Sequence, residues 1–321
     1  MINFLSPRHV FRGLPGAGQQ LDCALAIGNF DGVHLGHQAL LREVVQAAGR
    51  LGLVPAVLTF EPHPREVFGL EPLKRIATLR DKIDRIRACG IERIHVMPFS
   101  REFAALSPAE FAKHILAERL ACRWLTVGEN FRFGANRAGT VDTLTELGRH
   151  YGFEVFASPL LFSGKARISS SRVRAALELG DLVEAARMLG NPYYVTGRVT
   201  HGQALGRTIG YPTLNQRLLP PGSKAKFALH GVYAVRVTGV TPVEVNFAGM
   251  ASLGTKPTVG GNAWCLETSI FDWKGDAYGK IVRVEFLSKI RDEKRFSGID
   301  ELREAIAADE REARRRLGIL I

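Results

Sequence analysis

Cysteine is scarce in this 321-residue chain, which has four, at Cys23, Cys89, Cys122 and Cys265. They are scattered, with no C-x-x-C pair and no histidine at a metal-ligand spacing from any of them. That excludes a disulfide-built scaffold, gives no structural zinc signature and suits a reducing compartment. Long apolar runs are missing too. None approaches the roughly 18 residues that a membrane span needs, and the opening MINFLSPRHVFRGLPG has no apolar core of signal-peptide length. The expectation is therefore a cytoplasmic protein without a membrane partner. There is no internal repeat and no low-complexity segment, and G-x-x-x-x-G-K-[ST] is absent, which removes the P-loop folds.

What is present describes a soluble globular protein: 46% hydrophobic and 23% charged residues, in a length that suits two domains. The net charge of +11 raises the question of a nucleic-acid partner. Residues 1 to 190 carry 24 basic and 19 acidic groups, and residues 191 to 321 carry 19 and 13. The excess is thus even, a mild field that draws in polyphosphates rather than a dedicated groove. The one basic cluster, Arg314 to Arg316, closes a helix-like segment, where cations favour the dipole.

The first half alternates strand-like runs (LDCALAIG, VPAVLTF, RIHVMPF, WLTVG, FEVFAS) with segments of helical spacing (HQALLREVVQAAGRLG, LRDKIDRIRACG, SPAEFAKHILAERL). This alternation predicts a Rossmann-like α/β fold with a parallel sheet covered on both faces. SSSRVRAALELGDLVEAARMLG adds two helices, with serines suited to capping the first. After Asn191 and Pro192 the texture changes. YYVTGRVTHG, GVYAVRVTG, VEVNFAGMASLG, AWCLETSIFDW and KIVRVEFLSKI are rich in β-branched and aromatic residues with frequent turn signals, which predicts an antiparallel β-barrel or sandwich. GIDELREAIAADEREARRRL follows as a terminal helix. The expected domains are residues 1–186 and 187–321.

Ligands of an open parallel sheet bind beyond the carboxyl ends of its strands. NFDGVHLGH, residues 29 to 37, lies at the end of the first such strand, where the chain enters a helix. Its glycines allow close backbone approach, and His34 and His37 share a face near a helix N-terminus, a place that attracts phosphate. Imidazoles there can donate hydrogen bonds to oxygens that gain charge in phosphoryl or nucleotidyl transfer. H-x-G-H alone also suits ordinary surface histidines. RISSSRVR, residues 167 to 174, offers hydroxyls, amides and Arg172 or Arg174 at a helix start, a second anion site or simply a serine cap. TFEPHP (59–64) and GENFRFG (128–134) follow strands and face the same rim.

In the second half, GRVTHGQALGRTIGYPTLN (197–215) is a glycine-rich loop running into Pro212, Thr213 and Asn215. If extended, Thr213 and Asn215 point to one side, and a hydroxyl with an amide carbonyl suits Mg²⁺ completed by water and ATP oxygens. Glu267 in LETSIFDW sits in a strand otherwise apolar or hydroxylic. It is either a solvent-facing strand residue or a carboxylate able to take a proton from a substrate hydroxyl during phosphoryl transfer.

GNFDGVHLGH, TFEPHP, GENFRFG and ISSSRVR, in that order, resemble the adenylyltransferase module of the bacterial bifunctional riboflavin kinase and FMN adenylyltransferase family, often called FAD synthetases. GRVTHGQALGRTIGYPTLN, GVYAVRV, GMASLGTKPTVGG, LETSIFDW, YGKIVRVEFLSKIRDEKRF and the final helix resemble the same family's riboflavin kinase barrel. The resemblance implies that riboflavin, FMN and ATP are the substrates and Mg²⁺ the cofactor. In the first half it implies that His34 and His37 stabilise the transition state as the FMN phosphate attacks the α-phosphorus of ATP. Gly28, Phe30, Asp31, Gly32 and Asn130 then belong to the nucleotide and FMN pocket, with Ser170, Ser171 and Arg174 on the ATP phosphates. In the second half it implies Glu267 as the base on the ribityl 5′-hydroxyl and Thr213 and Asn215 as the Mg²⁺ ligands. Gly197, Gly202, Gly206 and Pro212 are the expected ATP- and flavin-binding loop.

Four positions depart from the family pattern: Asn130 stands where aspartate is common, ISSS replaces ISST, the usual proline before GVYAV is missing, and Lys256 takes an arginine's place. Two other readings compete. A class I aminoacyl-tRNA synthetase would need a lysine-rich segment in place of ISSSRVR and a tRNA-binding domain. A basic RNA-binding protein would need exposed aromatics interleaved with cations on one barrel face.

Overall fold

The computed structural model describes residues 10–16, 18–69, 72–164, 166–202, 210–220, 222–258 and 261–319. By contact the chain divides into two compact units, Met1–Glu71 with Lys82–Ser169, and Pro72–Asp81 with Ser170–Ile321.

The first unit is built on six strands: β1 (Val10–Arg12), β2 (Cys23–Ile27), β3 (Val54–Glu61), β4 (Arg93–Pro98), β5 (Cys122–Gly128) and β6 (Glu154–Ser158). They pair in the order β1-β4-β3-β2-β5-β6, every pair parallel. The apolar run CALAI of β2 is buried at every residue, as a strand covered on both faces requires. The connecting helices include α1 (Leu35–Leu51), α2 (Leu79–Ala88) and α3 (Val141–Tyr151). α1 presents Leu40, Leu41, Val44, Ala47 and Ala48 to the interior, the 3–4 spacing visible in HQALLREVVQAAGRL. SPAEFAKHILAERL is helical, but only its first turn is α. Ser107 and Glu110 form a reciprocal capping box, and Phe111–Arg119 is then a π-helix, a wider winding that apolar spacing does not reveal.

The second unit opens with two helices, α4 (Ser170–Leu179) and α5 (Leu182–Leu189). Six antiparallel strands follow: β7 (Tyr194–Thr200), β8 (Leu214–Arg217), β9 (Gly231–Thr238), β10 (Phe247–Thr258), β11 (Gly261–Ile270) and β12 (Ile281–Arg291). They close into a barrel in the order β7-β8-β11-β10-β9-β12, with β12 returning to β7. Closure leaves no open sheet edge. Val195, Val199, Gln216, Leu253, Leu266 and Val282 line the buried side. The terminal helix α6 (Ile299–Arg316) buries Ala313 against Ala234, Met250 and Phe271. It is tied to β12 by Arg291, whose guanidinium donates to both oxygens of the buried Asp309 at 2.7 to 3.1 Å.

Residues 72–81 serve this second unit. Lys74–Arg75 pairs in parallel with Lys226–Phe227. The buried Tyr193 hydroxyl donates to the Ile76 carbonyl at 2.8 Å, and the Thr196 amide donates to the Asp81 carboxylate at 3.1 Å.

Candidate active sites

In the first unit β2, β3 and β4 succeed one another toward one edge, whereas β5 and β6 run to the other. The switch point therefore lies between the carboxyl ends of β2 and β5, where such folds bind ligands. Gly28 to His37 follows β2 there, and the exposed Asn130 follows β5.

His34 is the N-cap of α1: its backbone is extended (φ −64, ψ 169) and its Nδ1 accepts the His37 amide at 3.3 Å. A ring nitrogen that accepts carries no proton, so the hydrogen of His34 lies on Nε2, leaving a neutral donor. The His37 ring stacks on it, centroids 3.7 Å apart and planes 15° from parallel, with the Phe30 ring against its edge. Gly36 permits this, since a Cβ there would come 3.1 Å from the His34 ring. Phe30 and Asp31 are themselves buried, so they shape the loop from beneath. Phe30 (φ 48) and Val33 (φ 46) have left-handed backbones, each costing about 1–3 kcal/mol for such a residue. The buried Phe30 and Val33 side chains and a bond from the Val33 amide to the Phe30 carbonyl hold the turn.

TFEPHP flanks this loop from β3, with a cis Glu61–Pro62 bond, and buried His63 caps the short helix Pro64–Phe68 by accepting the Arg65 amide at 3.1 Å. A run of phenylalanines leads from the core toward the same strand ends: Phe60, Phe99, Phe103, Phe111, Phe133 and Phe131 meet successively at 5.5 to 6.1 Å. Phe60, Phe111 and Phe133 are buried, while Phe99, Phe103 and Phe131 are half-buried. Two residues that the sequence reading passed over also reach these loops: Lys82 and Arg85, buried cations on α2. Their i, i+3 spacing inside an amphipathic helix was the available signal. Ser170, Ser171 and Arg174 belong by contact to the second unit. Ser170 opens α4, and Arg174 donates from Nε to the Lys74 carbonyl at 2.7 Å.

In the second unit, Thr213 and Asn215 lead into and lie on β8, and Asn215 stands directly opposite Glu267 of β11. On its other side Glu267 stands opposite Ser252 of β10. The three form one row across neighbouring strands, on the outer face, because the residues beside them in sequence (Gln216, Leu266, Thr268, Leu253) are buried inside. The Asn215 amide donates to the Thr213 carbonyl at 3.2 Å, which turns its Oδ1 away as an acceptor. Gly202 packs on this amide so closely that a Cβ would come 2.5 Å from it. Pro212 is exposed beside Thr213. Gly197 lies in the barrel wall, where its carbonyl accepts Gln216 Nε2 at 3.0 Å, and not beside Asn215. Gly206 lies outside the described residues. A further carboxylate, Glu293, packs on Gly254, two positions along β10 from Ser252. Burial raises its pKa, against the pull of His230 and Arg291.

A parallel sheet with phosphate-seeking loops at its switch point, and a closed barrel carrying an amide, a carboxylate and a hydroxyl in register, define a two-module transferase. Residues 17–172 match the FAD synthetase family and residues 189–317 the riboflavin kinase family. The chain is 41% identical over 313 residues to the bifunctional riboflavin kinase/FMN adenylyltransferase of Escherichia coli (strain K12), covering 97% of this chain and 98% of that one. The proteins of that description from Haemophilus influenzae and Bacillus subtilis are 41% and 36% identical, covering 94% and 97% of this chain and 96% of each relative. A crystal structure described as a macrolide-efflux protein from Streptococcus pneumoniae aligns with a TM-score of 0.70 at 32% identity, over 95% of this chain and 98% of that chain. The chain belongs to the bifunctional riboflavin kinase/FMN adenylyltransferase family and is an enzyme of flavin cofactor biosynthesis.

The synthetase and RNA-binding readings are not favoured. The basic cluster at the end of the terminal helix is paired within the chain: Arg314 with Asp272 and Glu310, Arg315 and Arg316 with Glu312. Among the described residues no helix is long and apolar enough to cross a membrane.

Proposed function

We infer that the barrel transfers the γ-phosphate of ATP to the ribityl 5′-hydroxyl of riboflavin through Glu267, Thr213 and Asn215, and that the parallel-sheet unit joins AMP to the resulting FMN through His34 and His37. The observation that carries this reading is the direct register of Asn215 with Glu267. It sets a hard neutral oxygen beside a carboxylate, an arrangement suited to holding a phosphate-bound cation next to a base. Glu267 accepts the hydroxyl proton as that oxygen attacks phosphorus. The Thr213 hydroxyl and Asn215 Oδ1 fit Mg²⁺, whose contribution when bound is to offset charge on the ATP phosphates. Gly202 leaves the room above Asn215 that a side chain would fill.

In the other unit, His34 Nε2–H and the His37 ring donate to the α-phosphate oxygens as charge grows there, while FMN attacks and pyrophosphate leaves. For the same reaction we assign Ser170, Ser171 and Arg174, at the start of α4, to the ATP phosphates, and Asn130 to the nucleotide. The half-buried Phe99, Phe103 and Phe131 offer the flat isoalloxazine an aromatic bed. We assign adenylyl transfer to residues 1–186 and the kinase reaction to residues 187–321, and place both reactions in the cytoplasm, as four free cysteines suit. Incubation of the purified protein with riboflavin, ATP and Mg²⁺, followed by flavin chromatography, tests the whole scheme. FMN and then FAD should appear, and the absence of either product removes the corresponding half.

A further inference from the structure

Helix α2 carries two cations that the reactions above leave without a part. Lys82 and Arg85 lie three residues apart, so their side chains leave the helix on one face, and both are buried. Lys82 Nζ donates to the Phe60 carbonyl at 2.9 Å and stands 3.8 Å from the Glu61 carboxylate, in the loop that carries TFEPHP. Arg85 Nη1 donates to the Gly32 carbonyl at 3.1 Å, in the loop that carries His34 and His37. Taking a cation out of water is costly, so what each of these two holds in place bears on its role. The acceptors are informative. Phe60 is the last residue but one of β3, and Gly32 lies in the loop after β2 between the left-handed Phe30 and Val33, in the turn that delivers His34 to the start of α1. A turn with two strained residues keeps its shape only when its surroundings over-determine it. Arg85 grips the middle of that turn.

We propose that Arg85 and Lys82 are positioning residues for adenylyl transfer, which brace the His34–His37 loop and the TFEPHP loop from one helix and so fix where the imidazole donors stand. This rests on the reading of His34 and His37 as the donors to the α-phosphate. The donors must meet oxygens whose charge grows in the transition state, so a small displacement of the loop lowers turnover more than substrate affinity.

The full-length protein is assayed for FAD formation from FMN and ATP, and for FMN formation from riboflavin. Arg85→Met and Lys82→Met should each lower kcat for FAD formation about 10- to 100-fold, with KM for ATP and FMN within about 3-fold and the kinase rate unchanged. Arg85→Lys, which keeps a cationic donor, should recover most of the loss. A packing role predicts instead that Arg85→Lys is no better than Arg85→Met, or that both activities and the melting temperature fall together, and either result overturns the proposal. If Arg85→Met does not fold by circular dichroism, Lys82→Met decides, since a Lys82→Met protein with parental kcat for FAD formation overturns it equally. His37→Ala is run alongside. Unchanged FAD formation in that variant removes the underlying site assignment, whereas its collapse beside an intact Arg85→Met removes only the positioning role.

Discussion

His34 is given two jobs with one ring: Nδ1 caps a helix, and Nε2 is the proposed donor to the α-phosphate. His37 has no cap to maintain, so it is the cleaner residue to remove. His37→Ala should lower FAD formation by about 10²- to 10³-fold, the usual effect of losing one transition-state donor, while FMN accumulates in a chromatographic time course. In the barrel, Glu267→Gln keeps shape and hydrogen bonding but cannot take a proton. Kinase turnover should fall by roughly 10² to 10⁴, with riboflavin affinity, followed by fluorescence quenching, changed far less and FAD formation from supplied FMN intact. A third residue bears on stability rather than chemistry. His95 is buried on β4, stacks on Phe11 and donates from Nδ1 to the Gly13 carbonyl. Burial lowers its pKa to about 4, with the Gly13 bond opposing that shift and Arg93 adding to it. The unfolded chain therefore takes up this proton near pH 6.5 and the folded chain does not until about 4, so stability is complete above 6.5 and is lost as pH falls between them. The loss is about 2 kcal/mol by pH 5. Urea unfolding at pH 7.5 and pH 5 should show it, and His95→Phe should flatten the difference.

At the scale of elements, what the sequence announced and what it hid follow from contact range. Four of the five long strands of the sheet stood out as buried apolar runs flanked by turn residues, the edge strand β6 stood out by its β-branched and aromatic residues although it is mostly exposed, and α1 stood out because its apolar residues keep a 3–4 spacing. β1 has three residues and exists because it pairs with β4, a partner more than eighty residues away. β8 has four, LNQR, with no apolar alternation. It is a strand because the barrel needs a sixth wall between β7 and β11. The sequence placed Asn215 and Glu267 in one proposed site without saying that they are cross-strand partners, since register is set by closure. α6 illustrates an element whose attachment is as informative as its spacing. Asp309→Ala would leave Arg291 without its bidentate partner, and because Asp309 is 5% exposed the loss should be about 3 kcal/mol, at the low end for a buried pair since Arg291 is partly solvated. A lower urea midpoint, with the barrel's far-UV spectrum retained below it, is the expected result.

For the molecule as a whole, the proposed boundary of chemistry and the boundary of packing do not coincide. Residues 187–321 hold all the groups assigned to the kinase. Residues 72–81 nevertheless give that unit a strand pairing with Lys226–Phe227, an acceptor for Tyr193 and one for the Thr196 amide. A fragment spanning 187–321 should phosphorylate riboflavin and make no FAD, yet melt well below the kinase unit of the intact chain. Each buried group left without its partner costs about 1–3 kcal/mol. Calorimetry of the fragment with and without a tethered copy of residues 72–81 separates the two effects, since the added strand should restore stability without adding an activity.

The barrel's closure has a consequence for how the chain can vary in length. A ring of strands has no free end where an inserted residue could be discharged, so every insertion has to be absorbed as a local irregularity somewhere on the circle. Such irregularities already exist between β9 and β12, at Val232/Tyr233 and Ala234/Val235. The β8–β11 and β11–β10 pairings that align Asn215, Glu267 and Ser252 run without a break. The slack of the ring is thus kept on strands other than those that carry Asn215, Glu267 and Ser252. A one-residue insertion near Tyr233 should be tolerated as an enlarged bulge, whereas one within Leu214–Arg217 would turn Asn215 toward the interior and Gln216 toward the outer face.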